Sequence, residues 1–400
     1  MDYSFTRADA APRSSAESRM DVPTLRKKAR RSWGLIATIS LIQGFLSLAH
    51  WFIFYTFTVF FPMSSRGADY LGALLFVLSI SFTLGALLGF RHDHSAVGWI
   101  YKIAACWLGI LNFLFWAAWL CWGVDLAMRL SGRGGAEERL GTAGLLFGLA
   151  ILISLYGFIN ARWIRERRLT VTLPNLPQSW QGRTGLLISD MHLGNVNGAR
   201  FARRIANLAR RLDPDVVFIA GDLFDGSKCE AGRLAAPLFE MNPRFGVYFC
   251  GGNHEDFGDA AAYSSALMRG GIRVLHNQRV EIDGLRVVGI SYSDSHHPLR
   301  LRAYLDSLEL HNGPASILLN HVPHRLPTVE SSGVSLQVSG HTHGGQIFPF
   351  TLIARRVYRE FTYGLQRFGK LQVLTSSGVG TWGPPMRVGS QPEVVLIKFA

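Results

Sequence analysis

The sequence predicts two parts in series: four membrane-spanning helices, then an α/β domain in which short strands alternate with helices. The 400 residues are 48% apolar and only 17% charged, which is more apolar than a soluble protein of this length usually is. The apolar residues are concentrated in the first 160 positions, whereas short β-rich runs begin after Trp180. These two observations together predict the division.

Four apolar runs in the first part are long enough to cross the roughly 30 Å hydrocarbon core of a bilayer. They are Trp33–Phe61, Tyr70–Phe90, Gly98–Val124 and Gly141–Asn160. His50 is the only ionisable group deep inside the first run. It is either a functional intramembrane site or a neutral ring hydrogen-bonded between helices, and the second interpretation is favoured.

Basic residues predict the orientation of these runs. Residues 1–32 hold eight Lys and Arg against four acids, and an arginine cluster, Arg162 to Arg168, follows the last run. The 62–69 loop holds only Arg66. Because cytoplasmic loops carry an excess of Lys and Arg, both termini are predicted to be cytoplasmic. A twin-arginine export signal at Arg30 and Arg31 is the alternative, and the three later runs oppose it.

The charge balance argues against a nucleic-acid-binding protein. The net charge is +13, but 23 basic and 18 acidic side chains from residue 171 onward leave the second part only mildly basic. No nucleic-acid partner is therefore expected. The predicted organisation is a basic cytoplasmic tail (1–32), four transmembrane helices (33–160), a basic juxtamembrane linker (161–182) and a catalytic domain (183–400).

Eight runs in the second part have the length and composition of β-strands. They are Gly185–Ser189, Val216–Ala220, Val247–Cys250, Arg286–Ile290, Ser316–Leu319, Leu336–Ser339, Leu371–Thr375 and Glu393–Phe399. Between the first two, Gly198–Leu212 has its apolar residues on one helical face, as a helix packed on a sheet does.

Polar side chains follow five of these strands directly. They are Asp190 and His192, Asp222, Asn253 and His254, His321, and His341 with His343. In open α/β sheets, ligands bind beyond the carboxyl ends of the strands, so these segments are expected to converge. Carboxylates, an amide and neutral imidazoles suit Mn, Fe or Zn better than Ca or a structural Zn.

These residues lie in five sequence blocks. In order, the blocks are Asp190-Met-His192, Gly221-Asp222-Leu-Phe-Asp225, Gly252-Asn253-His254-Glu255, Asn320-His321 and Gly340-His341-Thr-His343. Because residues 183–399 contain these five blocks, they resemble the calcineurin-like metallophosphoesterase superfamily. The run through Gln346 and the segment around Trp382 are similar to its membrane-associated bacterial branch. The resemblance implies an α/β (α+β) two-sheet sandwich flanked by helices, and it does not extend to the membrane part.

The resemblance also implies roles for individual residues. One divalent ion would be held by Asp190, His192, Asp222 and His343, and the other by Asp222, Asn253, His321 and His341. A water between the two ions, which would be Mn, Fe or Zn, would become the attacking hydroxide. His254 would protonate the leaving group or stabilise the phosphoryl group, and Asp225 would either orient His254 or cap a turn. Gly226 stands where the protein Ser/Thr phosphatases carry an arginine, which disfavours a phosphoprotein substrate.

Two further residues and one segment are candidates for contact with substrate or membrane. Asn195 and Arg387 are predicted to contact a phosphate or headgroup. The segment Gln346–Lys370 interleaves aromatic residues with arginines. It would stack on nucleic-acid bases, lie at a membrane interface, or form a plain loop or hairpin, and membrane tethering favours the interface over the bases.

The predicted function is a membrane-anchored binuclear-metal phosphoesterase acting on a phosphoester or pyrophosphate. A lipid-linked substrate is favoured because anchoring raises local concentration at the bilayer. The predicted location is the bacterial inner membrane, with the catalytic domain cytoplasmic and the oligomeric state left open. The alternatives are a UDP-2,3-diacylglucosamine pyrophosphohydrolase-like enzyme of lipid A synthesis, a soluble-substrate nucleotidase or nuclease, a non-catalytic metal-binding scaffold, and a membrane sensor or transporter.

Overall fold

The computed structural model describes the backbone of residues 22–400 and the side chains of residues 33, 34 and 36–400. Residues 1–21 of the predicted cytoplasmic tail lie outside the described residues. The chain divides into two units with the boundary after Leu46. The second unit, Ser47–Ala400, contains all of the strands.

The first part of the chain consists of four long helices. They are α1 (Val22–Phe60), α2 (Ser65–Arg91), α3 (Ser95–Leu130) and α4 (Ala136–Arg162). Each contains a stretch long and apolar enough to cross a membrane, as the sequence predicts. The 36 residues of α3 extend over about 54 Å, which exceeds the thickness of the hydrocarbon core. Part of α3 is therefore available to contact the rest of the protein.

His50 lies on α1 and is buried against α3. Trp107 Nε1 donates a hydrogen bond of 2.8 Å to His50 Nε2. Because an indole N–H can only donate, Nε2 is unprotonated and the ring is neutral. The interpretation of His50 as a hydrogen-bonded ring between helices is confirmed.

The described residues form twelve strands. They are β1 (Arg165–Val171), β2 (Thr184–Ile188), β3 (Val216–Ala220), β4 (Val247–Cys250), β5 (Arg273–Val274), β6 (Gln278–Ile282), β7 (Leu285–Gly289), β8 (Ser316–Leu319), β9 (Leu336–Ser339), β10 (Gly364–Phe368), β11 (Leu371–Thr375) and β12 (Glu393–Phe399). All eight predicted strands are present, each within one residue of its predicted bounds.

The strands form two six-stranded sheets that pack face to face. The first sheet has the order β1-β12-β2-β3-β4-β5, and the second β10-β11-β9-β8-β7-β6. Strands β2, β3, β4 and β5 run parallel to one another, as do β7, β8, β9 and β11, whereas β12 is antiparallel to β2, β6 to β7 and β10 to β11. Side chains of both sheets, including Phe218 and Val338, share one buried apolar cluster. The predicted two-sheet sandwich is confirmed.

Helices cover the outer faces of the sandwich. The helices of this domain are α5 (Ala199–Leu212), α6 (Ala231–Ala235), α7 (Asn253–Phe257), α8 (Ala260–Arg269), α9 (Tyr292–His296), α10 (Pro298–Asp306), α11 (Leu326–Glu330) and α12 (Phe350–Tyr358). Helices α5, α6 and α8 pack on the first sheet through residues such as Ile205, Leu234 and Leu267. Helices α10 and α11 pack on the second sheet through Leu301 and Val329.

Two segments differ from the sequence expectation. Residues 165–171, in the predicted linker 161–182, form β1, an edge strand parallel to β12. Its charged residues alternate with half-buried ones, a pattern that protects a sheet edge and resembles a polar linker in sequence. The segment Gln346–Lys370 is not a plain loop, because it contains α12 and then β10, which forms a hairpin with β11.

Candidate metal centre

The five predicted ligand segments meet at one edge of the sandwich. In the first sheet, the parallel strands β2, β3 and β4 end just before Asp190, Asp222 and Asn253. In the second sheet, β8 and β9 end just before His321 and His341. Since parallel strands present their carboxyl ends at the same edge, the topology brings these side chains together.

Backbone strain is concentrated at the same edge. Asp190, His192, Asp222, His341 and His343 all have φ between +48° and +69°, a region that non-glycine residues rarely occupy. Such conformations cost about 1–3 kcal/mol each and persist where the surrounding fold requires them. The strain therefore marks this edge as a functional site.

The first cluster consists of Asp190, His192 and His343, whose ligand atoms lie within 4.8 Å of one another. His192 Nε2 is 3.0 Å from His343 Nε2, which is itself 3.4 Å from Asp190 Oδ1. The second nitrogen of His192, Nδ1, is buried without a hydrogen-bond partner among the described residues. Two imidazole nitrogens and a carboxylate oxygen thus face a common point, as the ligands of a divalent ion do.

The second cluster consists of Asp222, His321 and His341, with Asn253 beside it. His321 Nε2 is 3.1 Å from Asp222 Oδ2, and His341 Nδ1 is 3.3 Å from His321 Nε2 and 2.9 Å from Asn253 Oδ1. Asp222 Oδ2 is also 3.9 Å from His192 Nε2 of the first cluster. The Asp222 carboxylate therefore lies between the two clusters.

The protonation states of Asp222 and of three of the four cluster histidines suit metal binding. Burial lowers the pKa of the fourth, His321, but Asp222 outweighs this and raises it to about 10, so that this ring must lose a proton when a metal binds. Burial, reinforced by cationic neighbours, lowers the pKa of His192 and His343 well below the ordinary value and that of His341 to about 3. Burial raises the pKa of Asp222, but the adjacent histidines, His321 above all, outweigh it and leave that pKa well below its usual range. Neutral imidazoles and an ionised carboxylate are the forms that coordinate metals, so the donor set fits divalent ions.

Groups behind the second cluster hold its members in place. His321 Nδ1 donates to the Ala220 carbonyl of β3 at 2.7 Å, so Nε2 faces the cluster. The buried Glu255 carboxylate accepts from the backbone N–H groups of Asp222 (3.0 Å), Phe224 (2.9 Å) and Gly252 (2.7 Å). No role of Glu255 is predicted from the sequence. The signal for it is an acid next to His254 in the Gly-Asn-His-Glu block.

His254 lies beside both clusters, with Nε2 4.0 Å from Asp222 Oδ2. Its Nδ1 is 2.8 Å from the backbone carbonyl of Asp225, and because a carbonyl only accepts, Nδ1 carries a proton. The Asp225 carboxylate instead accepts from the backbone of Ser227 (2.8 Å) and of Asn195 (2.9 Å). The Asp225 side chain therefore caps a turn, which is the second of the two predicted roles. The backbone carbonyl of Asp225 is the group that contacts His254.

Arg387 does not occupy the position predicted for a phosphate contact. It is fully buried, and its guanidinium donates to the carbonyls of His343 (3.1 Å), Ser377 (2.8 Å) and Gly380 (2.6 Å). Nη2 also lies 3.2 Å from His343 Nδ1. The prediction of substrate contact is wrong, because these protein carbonyls occupy the guanidinium and shield it from solvent. Arg387 holds the loop of His343 instead.

The Asn195 side-chain amide also does not lie where a phosphate contact is predicted. A Cβ added at Gly89, near the end of α2, would lie 2.7 Å from Asn195 Nδ2, and one at Gly98 in α3 would lie 3.5 Å from Asn195 Oδ1. The side chain is therefore packed between two helix ends. This packing accounts for the amide, and no contact with either cluster is seen among the described residues.

Helices of the first part contact loops that form the centre. Lys228 N donates to Gly89 O of α2 at 3.2 Å. Arg387 N donates to Gly157 O of α4 at 3.0 Å, and Asn160 Nδ2 returns a bond of 3.1 Å to Arg387 O. Met386 packs against α3, where a Cβ at Gly109 would lie 3.1 Å from its methyl group. Helices α2, α3 and α4 and the centre are thus parts of one packed unit, Ser47–Ala400.

Comparisons with known proteins agree with this geometry. The family model for calcineurin-like phosphoesterases matches residues 186–345. A transmembrane protein with metallophosphoesterase domain from Danio rerio is 30% identical over 324 residues, covering 75% of this chain and 73% of the relative. An uncharacterized metallophosphoesterase from Aquifex aeolicus is 33% identical over 258 residues, covering 63% of this chain and 97% of the relative.

A solved dimetal phosphatase from Danio rerio is 15% identical, the match covers 50% of this chain and 88% of that chain, and the TM-score is 0.32. The first relative carries more weight. The match to this relative covers three quarters of the chain. Residues 183–400 make up a smaller share than that, so the similarity extends into the helical part. The relative from Danio rerio, together with the family model, shows that the chain belongs to the calcineurin-like phosphoesterase family, as a metal-dependent phosphoesterase with four candidate membrane helices.

Proposed function

We propose that this chain is a membrane-anchored phosphoesterase that uses two divalent ions, Mn, Fe or Zn, to hydrolyse a lipid-linked phosphoester or pyrophosphate. The observation that carries the proposal is the position of His254 beside two adjoining clusters of metal-type ligands. One ion would be held by the first cluster with Asp222, and the other by the second cluster with Asn253. When bound, the ions would supply the Lewis acidity that activates water and neutralises charge on phosphoryl oxygens.

His254 is placed to deliver a proton to the leaving oxygen. The Asp225 carbonyl fixes a proton on Nδ1, so Nε2, the nitrogen nearer Asp222, carries a proton only when the ring is cationic. This nitrogen lies 4.0 Å from the Asp222 carboxylate, on the side of the two clusters. A cationic histidine acts as a general acid and becomes neutral after the transfer.

The surroundings of His254 support a substrate with an apolar portion. The exposed rings of Trp382 and Phe257 lie 5.7 Å and 5.4 Å from the His254 ring. They are 57% and 63% exposed, which is unusual for large aromatic side chains beside a polar centre. Because α2 and α4 contact loops of the same centre, an acyl chain in the bilayer could lie against these rings while its phosphate reaches the clusters.

The basic ends of the helices support a cytoplasmic catalytic domain. Helices α2 and α4 end at Arg91 and Arg162, close to the residues through which they contact the domain. Arg165, Arg167 and Arg168 follow immediately. Since basic residues are retained on the cytoplasmic side, this arrangement supports a cytoplasmic position for the metal centre.

The test is a substrate panel on the detergent-purified full chain with Mn. It would contain lipid phosphates, UDP-2,3-diacylglucosamine, nucleotide pyrophosphates, and aryl mono- and diesters. We expect a lipid-linked substrate to give the highest kcat/KM. Replacement His254→Ala is expected to slow turnover about 10²–10⁴-fold while leaving metal content unchanged.

The matched control is His297→Ala, which removes an exposed histidine whose side chain makes no hydrogen bond among the described residues. It should match the wild type in rate and metal content. Equal rates for His254→Ala and wild type would remove the proton-delivery role. Higher kcat/KM on soluble esters than on every lipid would instead contradict the lipid-linked substrate and leave the phosphoesterase chemistry intact.

A further inference from the structure

A groove of about 670 Å³ lies between the end of α4 and helix α12. Its polar lining includes Tyr156, Arg355, Arg359, Glu360, Tyr363 and Gln391. None of the residues assigned above to the two clusters lines this groove. It is therefore a second polar cavity, separate from the metal centre.

The two arginines of the groove lack carboxylate partners. Neither Arg355 nor Arg359 forms an ion pair with a described carboxylate, although Glu360 lines the same groove. Two arginines against one acid leave the groove with excess positive charge. A guanidinium matches the geometry of a phosphate, which makes this groove suited to a phosphate group.

Helix α12, which supplies Arg355, also exposes a large apolar surface. Phe350, Leu352, Ile353 and Val357 are each 54–63% exposed, whereas Thr351 faces the protein and is buried. Four large apolar side chains on nine residues are a concentrated exposed patch. A short helix with an apolar face and flanking arginines is typical of helices that lie in a membrane interface.

The position of α12 connects this surface to the membrane helices. Asn112 Nδ2 of α3 donates a hydrogen bond of 2.9 Å to Phe348 O, two residues before α12 begins. Tyr156 of α4 lines the groove on the opposite side, and Ile159, one turn further along α4, is exposed. The apolar face of α12 is therefore continuous with the exposed apolar surface of the helices that cross the bilayer.

We propose that the groove binds the phosphate headgroup of an anionic phospholipid while the apolar face of α12 lies in the membrane interface. The arginines supply charge complementarity, and Tyr156 is close to the end of α4, at the depth where tyrosines meet headgroups. This site is distinct from the substrate site and does not depend on the chemistry at the metal centre. A bound lipid would hold α12 against α4, next to the domain edge that contains the two clusters.

The first test titrates phosphatidylglycerol and phosphatidylcholine against the full-length protein in detergent, with bound lipid counted by native mass spectrometry. We expect phosphatidylglycerol to bind more tightly, and Arg355→Gln or Arg359→Gln to weaken its binding about fivefold each. Turnover of a soluble aryl phosphodiester should stay unchanged. The control removes Arg210 and Arg269, which lie in the last turns of α5 and α8, away from the metal-centre edge.

Three results for the lipids and the groove variants would overturn the proposal, and a fourth comes from the control variants. They are equal phosphatidylglycerol binding by wild type and the groove variants, equal binding of phosphatidylcholine, and full displacement of the lipid by inorganic phosphate. The last result would identify a site for free phosphate. An equal loss in the control variants would also contradict the proposal, because it would reduce the effect to overall charge.

A second test measures the depth of α12 directly. An environment-sensitive fluorophore is attached to Ile353→Cys in nanodiscs that contain lipids with a quencher near the headgroup. The background from labelling of the native cysteines is measured on the wild type. We expect strong quenching at this position. The matched label on Met268→Cys lies on an equally exposed apolar residue near the end of α8, and it should not be quenched. Equal quenching at both positions, or none at Ile353, would refute the interfacial position.

Discussion

The first and second clusters contain the same kinds of side chain, but different parts of the molecule hold them. In the second cluster, His321 is fixed by the Ala220 carbonyl of β3, and Asp222 by Glu255, both inside the sandwich. In the first cluster, the His343 carbonyl is bound by Arg387. The main chain of Arg387 is in turn bonded to Gly157 of α4.

This difference teaches that helix α4 bears more directly on one half of the metal centre than on the other. A change in α4 reaches His343 through two hydrogen bonds, whereas it reaches His321 by a longer route, through the loop from His343 to His341. We therefore expect the metal affinity of the first cluster to respond to the packing of α4. The affinity of the second cluster should follow the stability of the sheets.

The largest effect is expected from Asp222→Asn, because Asp222 is the one side chain that serves both clusters. Its Oδ2 is 3.1 Å from His321 Nε2 and 3.9 Å from His192 Nε2. Loss of its charge should remove metal from both clusters. It should lower turnover by more than the 10–100-fold that is typical when a residue that only supports a metal ligand is replaced. Elemental analysis and aryl diester turnover measure this. A variant that keeps two metals per chain would contradict the shared role, and Asp306→Asn, on the surface of α10, is the control.

Much of the sandwich and the convergence of the clusters can be predicted from sequence, because both depend on local patterns. Short apolar runs mark β2 to β4, and the polar residues directly after them mark the site. The residues that hold the first cluster in place cannot be predicted in this way. Arg387 acts through backbone carbonyls, which have no residue signature, and Gly157 resembles any small residue in an apolar helix. Strand β1 is equally hidden, because its alternating arginines match a solvated linker.

A strong and selective effect is expected from Arg387→Lys. Lysine keeps the charge but cannot bridge the carbonyls of His343, Ser377 and Gly380 with a planar fork of donors. The first cluster should bind metal about 10–100-fold more weakly, while the second is unchanged. Competition of the protein with a fluorescent chelator resolves the two dissociation constants.

The control for this variant is Arg325→Lys, an exposed arginine whose single long contact, 3.4 Å, is with the His296 carbonyl. Thermal unfolding of each variant separates a local effect from loss of the fold. Equal weakening at both clusters would show that Arg387 serves general stability. Unchanged affinity at both would remove its link to His343.

A smaller effect of the same kind is expected from Gly157→Ala. The added Cβ would lie 2.8 Å from Val388 Cγ2 and closer still to Met386, so the loop that carries Arg387 must shift. We expect the first cluster to lose up to about tenfold in metal affinity, with the second unaffected. The matched control is Gly148→Ala on the same helix. A Cβ at Gly148 would have nothing within 4 Å, and the gain in helix propensity from Gly to Ala is the same in both variants. Identical metal affinities in the two variants would contradict the coupling.

The last difference, about tenfold for each pH unit, separates the clusters without disturbing α4, and it comes from the proton released on metal binding. Burial lowers the pKa of His321, but Asp222 reverses this and raises it to about 10, so the metal-free ring is protonated at neutral pH. Binding at the second cluster must expel that proton, and its affinity should rise about tenfold per pH unit from pH 7 to 8.5. In the first cluster, His192 and His343 are already neutral, so the affinity should stay nearly constant over this range. Metal titrations of His343→Ala, which leaves the second cluster, and His341→Ala, which leaves the first, measure the two slopes, and equal slopes would contradict this account.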